Sequence, residues 1–373
     1  MKVQIIMAGR RSRVEKCNWC GTQQWVPYET QIFKCGECRA IIQLPNKDND
    51  HWLKVHDSVY NPGVRFRNVV ETAAPGLRAM PLKAGRKRAV LCGVTYKSSN
   101  RPLKGSVNDV KCMQYLLAEK FHFPKDSILI LTEEEKDPFR IPTIKNIRMA
   151  MIWLVKGVQR GDSLVFYFSG HGSYVRDYSN DEEDGNNETL CPVDFETAGM
   201  IIDDEINATI VRPLPKGAYL HAIVDACHSG TILDLQHVYR PSQDHSGWEG
   251  KDGEWEFQEC RSGVYKGTSG GLAISISACS DSQTSMDTTA FTGNVPTGAL
   301  TYNLIQAVEK EPRITYGRLI HSMRTAIREA RHGIHQNAGS ISSFVNKLRS
   351  PFSQEPQLSS SERFDVSKKQ FVL

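Results

Sequence analysis

Five short apolar runs, separated by segments of helical periodicity, constrain the fold of this 373-residue chain more than any other feature. In order along the chain the runs read RAVLCGVTY, SILILT, SLVFYFSGHG, YLHAIVDACHSG and LAISISACS. β-Branched and aromatic residues fill them, as is typical of strands that are buried on both faces. Strands that alternate with helices predict an α/β fold, with a mainly parallel sheet and helices on both of its sides.

Apolar residues recur at helical spacing between and after these runs. Their periodicity predicts amphipathic helices over 110–121, 144–158, 298–310 and 315–332. The segment 236–270 differs, because it is polar, rich in glycine and without periodicity. Since a loop of that length is usually functional or disordered, we expect it to be an exposed insertion.

Two CxxC pairs near the N-terminus predict a small metal-binding module. Fourteen residues separate the two pairs, which consist of Cys17, Cys20, Cys35 and Cys38. The alternative, two chance pairs of buried cysteines, does not explain this matched spacing. Four thiolates complete a tetrahedral zinc site and leave no open position, so the predicted role of Zn²⁺ is structural. With so few apolar residues, the module is expected to need its metal to fold.

Composition divides the chain into three parts. Residues 1–45 hold the zinc module, 46–84 form a basic linker punctuated by proline and glycine, and 85–373 carry the periodic pattern. Proline and glycine at this density are typical of a linker. We interpret the linker as a solvated segment in preference to a docking surface.

The overall charge and the remaining cysteines bear on the partners and the compartment. A formal net charge of +4 is too small to indicate a nucleic-acid partner. No apolar run is long enough for a membrane helix, and the first residues lack the apolar core of a secretory signal. Six of the ten cysteines are scattered, which favours a reducing compartment. We therefore expect a cytoplasmic protein, with the nucleus as a second compartment.

The third and fourth apolar runs end in residues that can carry chemistry. His171 ends one predicted strand and Cys227 ends the next. Because the carboxyl ends of parallel strands meet at the same edge of a sheet, the two side chains are predicted to lie together. Histidine is the usual base for a cysteine nucleophile. The backbone N–H groups of Gly172 and Cys227 are candidates for binding the oxyanion.

Each member of this dyad also has a structural interpretation. A lone histidine or a lone cysteine at a strand end is more often structural than catalytic. Their joint occurrence at corresponding ends, with a glycine close after each, favours catalysis. His228 is a rival base, although side chains at neighbouring strand positions diverge.

Four motifs, YFSGHG, DACHSG, LCPVDFETAGMIIDDE and SACSDSQTS, resemble the metacaspases, the caspase-like cysteine peptidases of plants, fungi and protists. The resemblance covers about 86–373. The four-cysteine module is similar to the prodomain of type I plant metacaspases, a zinc finger of the lesion-simulating-disease type. The family implies a caspase-like three-layer sandwich, with a large-subunit-like part at 85–235, the loop 236–270 and a small-subunit-like part at 271–373.

The resemblance also implies an endopeptidase that cleaves after Arg or Lys, is made as a zymogen and acts in regulated cell death or stress responses. Cys227 is then the nucleophile and His171 the general base. Because proteolysis concentrates in exposed loops, self-processing is expected in the 236–270 insertion, with a second cut in the linker near Arg65 to Arg88. The candidate sites in the insertion are Arg240, Lys251, Arg261 and Lys266.

The family's acidic specificity pocket falls on Asp109 and Asp225, with Ser169 beside them. A cationic side chain that enters a desolvated pocket needs a fixed carboxylate, which makes this assignment chemically reasonable. Ser106 stands where the family commonly has cysteine, so a thiol-specific role there is lost while the pocket charge is kept. Cys279 falls in the implied substrate groove.

An acidic segment predicts a calcium site. Between Asp177 and Glu205 the chain has eleven acidic residues and no Lys or Arg. One interpretation is a solvated loop that docks basic substrates. The other is that these acids repel one another and that Ca²⁺, which prefers carboxylate oxygens, binds among them and relieves the repulsion. The family's ligands fall on Asn187, Asp203, Asp204 and Asp234. Asparagine replaces an aspartate of the family, which predicts weak binding.

Two other functions compete with a calcium-stimulated peptidase. In one, the peptidase-like domain is a scaffold and the zinc module binds a partner; such a protein has no need of Cys227, His171 and both pocket acids. In the other, the chain is a caspase that cleaves after Asp, which requires Arg in the pocket. The expected partners are protein or peptide substrates with Arg or Lys at the cleaved position, and a regulatory protein at the zinc module.

Overall fold

The structure is a computed structural model that describes most of the region after residue 85 and short parts of the region before it. The described ranges are 12–16, 22–27, 32–34, 41–43, 86–177, 185–227, 229–241, 255–259, 266–278, 287–288, 297–336 and 356–373. The chain forms two compact units, Met1–Thr72 with Asp194–Gly199, and Ala73–Val193 with Met200–Leu373. Among the described helices, none is long and apolar enough to cross a membrane.

Seventeen strands and six α-helices are described. The strands are β1 (Ser12–Lys16), β2 (Gln23–Pro27), β3 (Ile32–Lys34), β4 (Ile41–Gln43), β5 (Lys87–Gly93), β6 (Ile128–Thr132), β7 (Ser163–Ser169), β8 (Gly172–Arg176), β9 (Asn186–Leu190), β10 (Ile201–Ile202), β11 (Tyr219–Asp225), β12 (His237–Pro241), β13 (Trp255–Glu259), β14 (Leu272–Ser277), β15 (Asp287–Thr288), β16 (Thr297–Gly298) and β17 (Gln357–Ser360). The helices are α1 (Ser106–Tyr115), α2 (Ile144–Val155), α3 (Phe195–Ala198), α4 (Asp203–Ile206), α5 (Ala299–Lys310) and α6 (Tyr316–Gln336).

The larger unit is built on an eight-stranded sheet in the order β13-β12-β17-β14-β11-β7-β5-β6. The five neighbours from β14 to β6 are parallel, and they are the five apolar runs, so the predicted parallel sheet is confirmed. The remaining three strands add to one edge in antiparallel pairs. Ser169 at the end of β7 lies opposite Asp225 at the end of β11.

Helices cover both faces of this sheet. On one face Leu91, Tyr167 and Ile223 join a buried core with residues of α1, α5 and α6. The alternate strand positions, such as Val90 and Phe166, are equally buried, and α2 packs over β5 and β7. Side chains alternate between the faces of a strand, so continuous apolar runs give a sheet buried on both sides.

The insertion 236–270 is structured in part, which corrects the expectation of an exposed loop. β12 and β13 lie within it, and they pair with each other at the edge of the sheet. Val238 and Tyr239 of β12 are buried. β-Branched and aromatic residues in these two short segments favour strands that the polar surroundings obscure. Residues 242–254 and 260–265 lie outside the described ranges.

The smaller unit contains two hairpins, β1 with β2 and β3 with β4, together with the short helix α3. All four cysteines of the predicted zinc module lie outside the described residues, so the module stays a prediction.

Candidate active site and acidic clusters

The ends of β7 and β11 bring the predicted dyad to one edge of the sheet. His171 and Cys227 each follow the paired residues Ser169 and Asp225 by two positions. The segments that follow these two strands stay in contact. A Cβ added to Gly172 would lie 1.9 Å from the Cys227 carbonyl oxygen. Only glycine fits that approach. The fold therefore places the histidine and cysteine segments side by side.

The His171 ring is oriented by backbone and aromatic contacts. Its Nε2 lies 2.8 Å from the carbonyl oxygen of Arg101, and the ring stacks on Tyr96 with centroids 4.5 Å apart. A carbonyl oxygen can only accept a hydrogen bond, so Nε2 carries the proton in the neutral imidazole. This assignment leaves Nδ1 as the basic nitrogen.

Tyr96 connects the histidine segment to the chain that follows β9. Its hydroxyl accepts a hydrogen bond from the His171 N–H at 2.8 Å and donates to the Cys191 carbonyl oxygen at 2.5 Å. The Cys191 N–H in turn donates to the His171 carbonyl oxygen at 3.0 Å. Burial raises the pKa of Tyr96 well above its usual value, so the hydroxyl stays protonated. Sequence reasoning missed Tyr96, since nothing in one sequence links it to a residue 75 positions away.

Substituting Tyr96 with phenylalanine is expected to lower kcat about tenfold with little change in KM, because a buried hydrogen bond worth ~1 kcal/mol or slightly more is lost at the backbone of His171, the candidate base. The phenyl ring keeps the stacking, so Tyr96→Leu is expected to lose more. Steady-state kinetics on one peptide substrate measures both. Tyr115→Phe, at a 60% exposed tyrosine, is the control. Wild-type kcat in Tyr96→Phe would exclude a positioning role.

Cys227 differs from the other described cysteines in its surroundings. Cys92, Cys112, Cys191 and Cys227 are all free thiols, and the first and third are buried. Burial raises the pKa of Cys191 to about 12, with the nearby Cys227 as a second cause. Burial likewise raises the pKa values of Cys92 and Cys112. Cys227 is half-buried and lies at the sheet edge beside the His171 segment, so it is the candidate nucleophile.

Asp109 lies at the same edge and is 1% exposed. Its Oδ2 accepts a hydrogen bond from Ser169 Oγ at 3.1 Å, and its Oδ1 accepts one from Thr297 Oγ1 at 2.5 Å. The Gly298 N–H also reaches this carboxylate at 3.0 Å. The structure therefore brings Asp109 and Ser169 together, as the family pattern implies.

Asp225 completes a pair of buried carboxylates around Gly298. Its Oδ2 accepts hydrogen bonds from the N–H and the Oγ1 of Thr301, at 3.0 and 2.8 Å. A Cβ on Gly298 would lie 2.1 Å from Asp225 Oδ2 and 3.0 Å from Asp109 Oδ2. The glycine thus lets one backbone segment contact both acids.

The remaining residue of the predicted pocket, Ser106, is buried at the start of α1, one turn before Asp109. Its carbonyl oxygen lies against Gly93, where an added Cβ would be 2.6 Å away. Cys279 and the rival base His228 lie outside the described residues.

The predicted calcium ligands Asp203, Asp204 and Asp234 gather near Glu188. Asp203 is fully buried, and its two oxygens accept hydrogen bonds from the N–H groups of Glu188 and Asp204, at 2.7 and 2.8 Å. Burial, followed by the charges of Asp234 and Glu188, raises the pKa of Asp203 well above its usual range. A cation close to this cluster would favour the ionised carboxylates.

A lysine that sequence reasoning did not connect to this cluster lies within it. Lys266 Nζ is 2.8 Å from Asp234 Oδ2 and 3.5 Å from Asp204 Oδ1. Asn187 is also buried, and its Oδ1 has no hydrogen-bond partner.

The donor chemistry of this cluster, carboxylate and amide oxygens, fits calcium. Nevertheless, within the described part of the chain no three His, Cys, Asp or Glu side chains converge tightly enough to hold a metal ion.

Comparisons with known proteins agree on one family. Residues 87–236 match the model described as the metacaspase, peptidase C14 domain. Metacaspase-1 of Arabidopsis thaliana is 47% identical over 376 residues, which cover 96% of this chain and 95% of the relative. Metacaspase-3 of the same plant is 44% identical, with 98% of this chain and all of the relative covered.

Two solved structures show weaker likeness. A Geobacter sulfurreducens protein has a TM-score of 0.48 at 20% identity, with 78% of this chain and 99% of that chain covered. Caspase-1 from Spodoptera frugiperda has a TM-score of 0.37 at 10% identity, with 79% and 95% covered.

Proposed function

The chain belongs to the metacaspases, the caspase-related cysteine peptidases, and on that premise we propose that it is a calcium-stimulated endopeptidase that cleaves after Arg or Lys. The observation that supports this specificity best is the pair of buried carboxylates, Asp109 and Asp225, around Gly298. Asp225 stands two residues before Cys227, so this acid lies close along the chain to the candidate nucleophile.

In the proposed reaction, His171 Nδ1 takes the thiol proton of Cys227, and the thiolate sulfur attacks the carbonyl carbon of the scissile peptide bond. The N–H groups of Gly172 and Cys227 bind the resulting oxyanion. The imidazolium then protonates the leaving amine, which breaks the C–N bond and leaves a thioester on Cys227. Attack by water, with His171 again as base, releases the carboxylic acid and restores the thiol.

A guanidinium or ammonium group suits the proposed pocket. The donors described above around Asp109 and Asp225 are neutral hydroxyl and amide groups, so they stabilise the carboxylates without cancelling their charge. Arginine is favoured over lysine because its planar fork meets carboxylates through two hydrogen bonds. Aspartate specificity would require a cationic pocket, and this pair of acids argues against it.

Calcium would be held by Asp203, Asp204 and Asp234, with Asn187 contributing an amide oxygen. Bound there, the ion would supply positive charge that neutralises the clustered carboxylates. The orphaned Oδ1 of Asn187 supports this assignment, because buried polar atoms normally have a partner. One acid fewer than the family pattern suggests a weak site, with Kd of roughly 10⁻⁴–10⁻³ M.

Self-processing belongs to the same proposal, and the structure ranks the candidate sites. Lys266 is buried and ion-paired, and Arg240 lies in β12, where it pairs with Glu256 of β13, so both are poor sites in this state. Lys251 and Arg261, outside the described residues, stay candidates, and so does the linker from Arg65 onward. Arg88 at the far end of that range lies buried in β5 and is a poor site.

The zinc module adds a structural Zn²⁺ on its four cysteines and a surface for a regulatory protein. A cytoplasmic and nuclear location, and a role in regulated cell death or stress responses, complete the proposal.

Fluorogenic peptides that differ only at the cleaved residue test this function. Cleavage is expected to be fastest after Arg, slower after Lys and negligible after Asp, and to rise when millimolar calcium replaces chelator. Asn187→Asp is expected to lower the calcium midpoint of activation, because it adds a ligand charge. Efficient cleavage after Asp would refute the acidic pocket, and equal rates in chelator and in calcium would remove the ion from the mechanism.

A further inference from the structure

Lys266 is a buried lysine enclosed by acids. It is 5% exposed, and its ammonium contacts Asp234, which is equally well buried, and Asp204, whose side chain is 34% exposed. A buried ammonium is tolerated when carboxylates compensate the lost hydration. The cluster therefore already contains a cation, and it is accessible from solvent on the Asp204 side.

The backbone that carries the Lys266 side chain is held by Asn207. Asn207 Nδ2 donates to the carbonyl oxygens of Lys266 and Leu233 at 2.9 Å each, and approaches that of Asp234 at 3.4 Å. The Asn207 side chain thus links the backbone at Lys266 to the backbone at Asp234. The ion pair between these two residues is built into the fold.

Two amide oxygens point to a ligand that the lysine does not replace. The Oδ1 atoms of Asn187 and Asn207 are both buried without a hydrogen-bond partner. Asn207 borders the cluster through its bond to Asp234, and Asn187 precedes Glu188, whose N–H binds Asp203. In this structure the Lys266 ammonium contacts the carboxylates of Asp204 and Asp234, while both amide oxygens stay without a partner. Ca²⁺ binds carboxylate and amide oxygens alike.

We propose that Lys266 is a tethered cation that competes with calcium for this cluster. The inference rests on the calcium stimulation proposed above and names its regulation. A calcium ion needs oxygens of Asp204 and Asp234, and two cations a few ångströms apart repel strongly. Calcium therefore binds by displacing the ammonium, while Asn207 holds the Lys266 backbone in place. Without calcium, the ammonium compensates the negative charge of the carboxylates. Its competition also raises the calcium concentration that is needed to occupy the site.

Calorimetric titration of calcium measures this competition, in the full-length protein with Cys227→Ala to prevent self-cleavage. Lys266→Gln is expected to bind calcium at least about tenfold more tightly, because the competing cation is gone. In chelator the same variant is expected to melt at a lower temperature than the parent, the Cys227→Ala protein. Calcium is expected to raise the Tm of the variant by more than it raises the Tm of the parent. Lys368→Gln removes an exposed lysine that pairs with Asp365 at 3.0 Å, and is expected to change neither quantity.

The outcomes separate the inference from the function on which it rests. If the parent binds calcium and Lys266→Gln binds it no more tightly, the competition is refuted and calcium stimulation stands. If neither binds calcium, both are refuted, while cleavage of an arginyl peptide by the protein with Cys227 intact still reports the peptidase.

A second measurement needs no change at Lys266. Acetylation of lysines in the Cys227→Ala protein, followed by mass spectrometry, is expected to leave Lys266 protected in chelator and to label it in saturating calcium. Exposed Lys368 is the internal control and is expected to react equally in both. Equal protection of Lys266 in both conditions, in a protein shown to bind calcium, would refute displacement.

Discussion

Replacing Cys227 with alanine is expected to abolish cleavage of an arginyl peptide, with a decrease in kcat of at least about 10³-fold. Removal of a catalytic nucleophile lowers kcat by this factor or more. The fold is expected to survive, because the thiol is half-buried at the edge of the sheet. His171→Ala is expected to lose nearly as much, because the Cys227 thiol then has no base to take its proton. Initial rates with circular dichroism spectra measure both effects.

Matched variants at other cysteines separate the nucleophile from thiols in general. Cys112→Ala, at another half-buried cysteine, is expected to keep full activity. Cys279→Ala is expected to keep most of it. Substantial activity in Cys227→Ala or in His171→Ala would exclude the dyad, and complete loss in Cys279→Ala would assign that thiol an essential role.

The parallel core was predictable because its strands are buried on both faces. Each of the five runs must be apolar throughout, and a sheet whose strands are separated by helices brings their carboxyl ends together. That argument placed His171 beside Cys227 from the sequence. It could not give the order of the strands or the antiparallel addition of β12, β13 and β17, since edge pairing depends on contacts between segments distant in sequence.

Contacts between distant segments also explain what was missed at the site. Thr297 donates to Asp109, which lies 188 positions earlier in the sequence. Thr301 donates to Asp225, which lies 76 positions earlier. Lys266, in an insertion that looks featureless in the sequence, pairs with Asp234, which lies 32 positions earlier. A single sequence carries local periodicity but no record of such pairs. Family resemblance predicted Asp109 and Asp225 as pocket acids, whereas their hydrogen-bond partners needed the structure.

Removing either pocket charge is expected to produce the largest change in specificity. In Asp225→Asn or Asp109→Asn, kcat/KM for an arginyl peptide is expected to fall by roughly 10²–10⁴-fold, the scale of about 3–5 kcal/mol that a desolvated charge loses with its partner. Asparagine keeps the shape and one acceptor oxygen, so the hydrogen bonds from Thr301 and Thr297 have a partner in the variants. The loss is therefore expected to reflect charge rather than collapse of the pocket.

A citrullyl peptide provides the sharpest comparison, because citrulline has nearly the shape of arginine without its charge. The wild type is expected to favour arginine strongly, and each variant is expected to lose most of that preference. Asp137→Asn, at a partly exposed acid that caps a helical turn, is the control and is expected to leave the ratio unchanged. If Asp225→Asn and Asp109→Asn both retain the wild-type ratio, the buried acids do not read the substrate's charge, and the specificity for Arg and Lys must be determined elsewhere.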